Sequence, residues 1–145
     1  MVTNYLKEAL NNINEEALLS NESFVIADYG CAGGGNSLPL FDPVIQFVRS
    51  KNPSKKIIIY LNDIPVNDFD ITLRTVRDHF PTDKNIEPIA VKRSFFDQVL
   101  PDNTVDIGFC FTAAHWLSKH PGLLPGYSMG GSFIPDQEVK ENWSA

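Results

Sequence analysis

The chain has 145 residues, 43% apolar and 21% charged, which suits one folded domain and excludes disorder as the main state. Twelve Lys and Arg against eighteen Asp and Glu leave a net charge of -6, which repels a phosphate backbone and sets nucleic acid aside as a principal ligand. No apolar run is long enough to span a bilayer, the acidic amphipathic start is no secretory leader, and two cysteines without ligand spacing suggest neither a disulfide scaffold nor zinc; no metal or membrane is expected, and the reducing cytoplasm is the default.

Thr3 or Asn4 is placed to cap a first helix, with Leu6, Leu10, Ile13 and Leu18 on one stripe and Asn21 and Ser23 ending it. Phe24 to Ala27 is a short continuous apolar run, the mark of a strand buried on both faces. It runs into the glycine-rich turn Asp28 to Ser37. A second helix through Leu40, Val44, Ile45 and Val48 is expected to start near Asp42 and Pro43, because proline suits a first turn. A second strand, Lys56 to Leu61, ends in Asn62-Asp63-Ile64-Pro65. Phe69, Leu73, Val76 and Phe80 then give a third helix, closed by Pro81. A weaker strand, Ile86 to Val91, leads to Ser94-Phe95, and Val105 to Phe111 reads as a fourth strand. Beyond Trp116-Leu117-Ser118 the chain becomes loop-like, with no internal repeat anywhere.

Strands alternating with helices imply an α/β fold with a mostly parallel sheet and right-handed crossovers. Four strands in this order resemble the first half of a doubly wound, Rossmann-like sheet, which binds its ligand at the carboxyl ends of the strands. Every chemically interesting segment follows such an end. Gly30, Gly33, Gly34 and Gly35 allow a tight turn and a close ligand, but Leu38 stands where the dinucleotide fingerprint needs a third glycine, and no Gly-Lys-Ser/Thr follows. Asp28, just before the turn, is placed to hold the amino group of a cationic ligand; a plain structural turn is the alternative. Asp63 ends the second strand, where an acidic residue accepts from ribose hydroxyls, although a helix-capping Asp reads the same way. The distance from Gly30 exceeds the roughly 20 residues usual for NAD. Ser94 and Phe95 offer a hydroxyl and a ring for adenine, or a core aromatic. His115 and Trp116 offer hydrogen-bond donors and a flat face for a polar acceptor, or ordinary packing. His79 and His120 are assigned to the surface.

These residues fall into four motifs that together resemble the SABATH methyltransferases, the salicylic acid, benzoic acid and theobromine family: Asp28-Tyr29-Gly30-Cys31-Ala32-Gly33-Gly34-Gly35-Asn36-Ser37, Asn62-Asp63-Ile64-Pro65-Val66-Asn67-Asp68-Phe69, Arg93-Ser94-Phe95 and Ala114-His115-Trp116-Leu117-Ser118. The resemblance implies an S-adenosylmethionine site, with Asp28, Gly30, Cys31 and Asn36 at the methionine end, Asp63 on the ribose, and Ile64, Ser94 and Phe95 around the adenine. It also implies that Thr112, His115 and Trp116 face a small-molecule carboxylic acid or N-heterocycle. A carboxylate acceptor needs no general base, so no catalytic acid or base and no metal is assigned. Thr112 stands where the family commonly carries Tyr, which leaves the acceptor open, and Arg93 replaces a glycine, adding charge near the adenine. The resemblance covers the first half of a catalytic domain, residues 1–145, without the later strands and helical cap. Self-association, as a homodimer, or marginal stability is expected of such a half-domain. A non-catalytic module holding the cofactor or a partner, and an NAD enzyme, are the alternative classes.

Overall fold

In the computed structural model, which describes residues 2–20, 22–111 and 113, four parallel strands form one sheet in the order β3-β2-β1-β4. The strands are β1 Phe24–Tyr29, β2 Ile57–Asp63, β3 Ile86–Lys92 and β4 Ile107–Phe109, and the helices are α1 Val2–Asn11, α2 Glu15–Leu19, α3 Leu38–Lys51 and α4 Phe69–His79. This is the half of a doubly wound sheet expected from the alternation of elements.

One face of the sheet carries the core. The register Phe24↔Ile57, Ile26↔Ile59 and Asp28↔Leu61 puts these six side chains on a common face, and Ile107 continues it from Ile26. Phe24, Ile26, Ile57, Ile59 and Leu61 are fully buried there, packed in one cluster with Phe41, Val44, Ile45 and Val48 of α3 and Phe69 and Val76 of α4. Each such side chain contributes about 1.5–3 kcal/mol by leaving water. The opposite face is less enclosed: Val25 and Ala27 are buried, but Ile58, Tyr60 and Ile89 are half-buried. Asp106 fastens β4 to the start of β1, accepting from Val25 N–H at 2.7 Å and donating its own N–H to Val25 carbonyl at 3.0 Å.

Several boundaries differ from the sequence expectations. The single first helix is two, because Asn14 caps a new one by accepting from Glu16 N–H, while Thr3 and Asn4 lie inside α1. Leu6 and Leu18 remain buried, one on each piece. The second helix starts earlier than Asp42: a 3-10 turn, Gly35–Ser37, leads into α3, Pro39 takes the first-turn place, and Pro43 sits inside the helix. The fourth strand pairs over three residues only. His79 is at the surface as expected, yet it has a partner, Asp42 Oδ1 at 2.8 Å.

Away from the glycine turn, Arg49 joins α3 to the loop before β3. Its guanidinium makes a two-pronged contact with Asp83, Nε to Oδ2 at 2.8 Å and Nη2 to Oδ1 at 3.0 Å, and Nη1 donates to Lys55 carbonyl. The hydrogen bonds from Arg49 hold the Asp83 carboxyl below its ordinary 3.8, against a smaller opposing effect of burial. A carboxylate depressed in the folded state stabilises above its unfolded pKa and loses that contribution as pH falls through its folded one. Arg49→Met is therefore expected to cost about 1–2 kcal/mol in urea unfolding at neutral pH, discounted for partial exposure, with the gap closing in strong acid. A gap independent of pH would show that packing, not charge, links these segments.

Candidate functional site

The carboxyl edge of the sheet gathers the ends of β1, β2 and β3. At the end of β1 the chain turns through Gly30, with φ of +78°, and Gly30 and Cys31 both donate their N–H to the carbonyl of Asn62, at 2.9 and 3.0 Å. Gly30 permits this turn without strain, and Phe95 closes on it: a Cβ added there would lie 3.7 Å from Phe95 Cε1 and would collide with Ala113. The segment after the third strand thus lies against the glycine turn.

Asp28 is the most deeply buried acidic residue among the described residues. It is 1% exposed, and neither carboxylate oxygen completes a hydrogen bond among the described residues. Burial raises its pKa from 3.8 to about 6; the nearby Ser37 hydroxyl pulls the other way and the Asp63 charge adds to the rise. An orphaned buried carboxylate is costly unless something meets it. A ligand ammonium would.

Asp63 spends part of its capacity on the protein. Oδ2 accepts from Ala32 N–H at 2.7 Å and Oδ1 from Ile64 N–H at 2.8 Å. A carboxylate has about four acceptor positions, so each oxygen keeps one for a ligand hydroxyl. Ile64 beside it is exposed, as is Asn36 in the turn after the glycines, while Ser94 and Phe95 are half-buried. Ser94 Oγ also accepts from Phe96 N–H at 3.3 Å, capping its own turn. Arg93 Nη1 donates to Gln98 carbonyl at 2.8 Å, which gives its added charge a partner on the following loop. Thr112, His115 and Trp116, the expected acceptor side of the site, lie outside the described residues.

Cys31 is buried, and burial, with the charges of Asp28 and Asp63, pushes its thiol up to about 12. That rules it out as a thiolate nucleophile at neutral pH.

Sequence reasoning missed Asn62 as a site residue. It is fully buried, its carbonyl takes the two N–H groups of the glycine turn, and its Nδ2 donates to the carbonyls of Val91 and Arg93 at 3.0 and 2.7 Å. Its Oδ1 is buried without a partner among the described residues. A polar residue at the end of an otherwise apolar strand was the available signal.

A parallel sheet with a glycine turn after β1 and a carboxylate at the end of β2 defines the nucleotide-cofactor class of α/β proteins. Comparison with known proteins narrows this. Residues 1–129 match the family model for SAM-dependent carboxyl methyltransferases. A probable S-adenosylmethionine-dependent methyltransferase of Arabidopsis thaliana is 34% identical over 128 residues, covering 81% of this chain and 34% of the relative. Loganic acid O-methyltransferase of Catharanthus roseus is 30% identical over 120 residues, covering 75% of this chain and 31% of the relative. A solved loganic acid methyltransferase with S-adenosylhomocysteine superposes with a TM-score of 0.66 at 28% identity, over 81% of this chain and 34% of that one. The chain belongs to the SABATH family of SAM-dependent carboxyl methyltransferases, whose cofactor is S-adenosylmethionine. It spans about one third of the length of these relatives.

Two outcomes follow from the buried groups. A carboxyl raised in the folded state penalises folding once pH passes its unfolded value, and fully so above about 6. The stability of Asp28→Asn relative to the parent is expected to improve between pH ~4 and pH ~7 by up to about 3 kcal/mol, read from urea unfolding without ligand. A constant difference across that range would show that Asp28 is not desolvated. Iodoacetamide at about pH 8 is expected to modify exposed Cys110 and spare Cys31 in the folded protein; equal labelling would contradict the burial of Cys31.

Proposed function

We propose that this chain forms the cofactor-binding part of a methyltransferase acting on a carboxylate oxygen, or a ring nitrogen, of a small molecule. The observation that carries the reading is the buried Asp28 carboxylate at the end of β1, which meets no cation among the described residues, in a chain of this family. The residues present fit S-adenosylmethionine: Asp28 for its ammonium, Asp63 for the ribose hydroxyls with the acceptor positions it has left, Ile64 and Phe95 for the faces of the adenine, and Ser94 for its edge. Gly30, Cys31 and Asn36 shape the turn against the methionine end. When bound, the cofactor supplies a methyl group activated by a positively charged sulfur.

A carboxylate acceptor is ionised at neutral pH, so the protein contributes placement and exclusion of water rather than proton transfer. Thr112, His115 and Trp116 are assigned to orienting the acceptor, Trp116 through its N–H and ring face. Two free thiols, Cys31 and Cys110, support a reducing, cytoplasmic setting. Association of two copies belongs to the same reading.

Calorimetric titration with S-adenosylhomocysteine, with NAD as control, tests the site: binding of the first and no response to the second is expected. Because the ammonium binds ionised Asp28, affinity should fall by up to about tenfold per pH unit below about 6. Asp28→Asn should bind weakly and lose that dependence. Binding of NAD instead would overturn the reading. An acceptor panel then opens with loganic acid and paraxanthine, the compounds in the names of two relatives. Methyl transfer to none of a broad set of acids and heterocycles would favour a binding module.

A further inference from the structure

Ala32 has φ of +45°, in the left-handed region that a residue with a side chain rarely occupies, and it lies in the middle of the glycine turn. Both ends of the residue are held. Its N–H donates to Asp63 Oδ2 at 2.7 Å, and its carbonyl accepts from Thr72 Oγ1 at 2.6 Å and Asn67 Nδ2 at 2.9 Å. Thr72 is fully buried on α4, whereas most polar side chains of that helix are exposed. A buried helical threonine ordinarily bonds the carbonyl one turn back. That alternative exists here, Asp68 carbonyl at 3.1 Å, but a hydroxyl has one proton and the shorter contact is to Ala32. The Thr72 methyl also abuts the next left-handed step: a Cβ added to Gly34, at φ +79°, would lie 3.3 Å from Thr72 Cγ2.

We propose that Thr72 and Asn67 are positioning residues that clamp the Ala32 carbonyl, hold the glycine turn in its left-handed step, and through it set the affinity for an adenosyl ligand. Neither is among the residues assigned to the ligand above; both act through the Ala32 backbone. The proposal rests on the cofactor reading for its second half, while the conformation of Ala32 stands apart from it.

The test compares Thr72→Val, Thr72→Ser and Asn67→Ala with the parent protein in two measurements. Valine keeps the volume and the methyl group facing Gly34 and removes only the hydroxyl. Calorimetry with S-adenosylhomocysteine should show binding weakened about fivefold in Thr72→Val, the worth of one neutral hydrogen bond, and restored to within about twofold in Thr72→Ser. Amide NMR without ligand should show the Ala32 and Gly33 signals shifted in Thr72→Val and Asn67→Ala, with the β1 and β2 amides unmoved and the melting temperature nearly unchanged. Parent-like affinity together with parent-like Ala32 and Gly33 signals in Thr72→Val would overturn the proposal, and so would equal loss in the valine and serine variants. Failure of the parent to bind S-adenosylhomocysteine would overturn the functional reading instead. The clamp would then be judged by the Ala32 amide alone, and an unmoved signal in Thr72→Val would end it.

Discussion

The arrangement at the carboxyl edge depends on the last two residues of β2. Asn62 and Asp63 sit at the point where three chain segments leave the sheet, and each segment is tied to one of them. The carbonyl of Asn62 receives the N–H groups of Gly30 and Cys31, so the turn after β1 is anchored to the neighbouring strand rather than to itself. Its amide holds the carbonyls of Val91 and Arg93, which anchors the chain leaving β3. Asp63 takes the N–H of Ala32 and of Ile64, and its carbonyl takes the N–H of Arg93. A parallel ladder alone would leave these exits without register, because its hydrogen bonds end where the strands end. The main-chain carbonyls and short polar side chains of these two residues together extend the ladder one layer further.

The same logic runs on through Pro65 to Phe69. Asn67 reaches back to Ala32, Asp68 caps α4 by accepting from Ile71 N–H, and Phe69 is buried in the core. A segment that reads in the sequence as a binding motif is thus a scaffold as well. Asp63 shows why the two roles are compatible. A carboxylate has capacity for both backbone amides and ligand hydroxyls, and the amides fix its orientation in advance.

Fold class was legible because its cause is periodicity. Phe24 to Ala27 and Ile57 to Ile59 are apolar on a short scale, and Phe69, Leu73, Val76 and Phe80 recur at helical spacing, so the alternation of strand and helix followed. Capping chemistry was less legible. Asn14 looks like any asparagine in an apolar-striped helix until its side chain is seen to accept from Glu16, and Pro39 and Pro43 are equally good first-turn prolines on paper. At the carboxyl edge, the places of Asp28, Gly30, Asp63 and Phe95 at or just after strand ends were legible. Asn62 and Thr72 were not, because their role is to bond backbone groups from segments distant in the chain, and a single sequence carries no trace of which carbonyl will face a buried hydroxyl. His79 makes the same point on the surface, where its partner Asp42 comes from another helix.

Buried polar groups in this structure divide into two kinds, and the division marks the site. Lys55 is 3% exposed, yet its ammonium meets the carbonyl and hydroxyl of Ser20 at 3.1 and 3.3 Å, at the end of the sheet where β2 begins. Thr72 is equally buried and satisfied by Ala32. The side-chain atoms left without partners among the described residues are both carboxylate oxygens of Asp28 and Oδ1 of Asn62. All three lie at the ends of β1 and β2, on the edge where a parallel sheet receives its ligand. A deficit scattered through the core would read as poor packing. Concentrated here, with a carboxyl poised near pH 6 and no cation to meet it among the described residues, it supports the proposal of a ligand that brings its own positive charge.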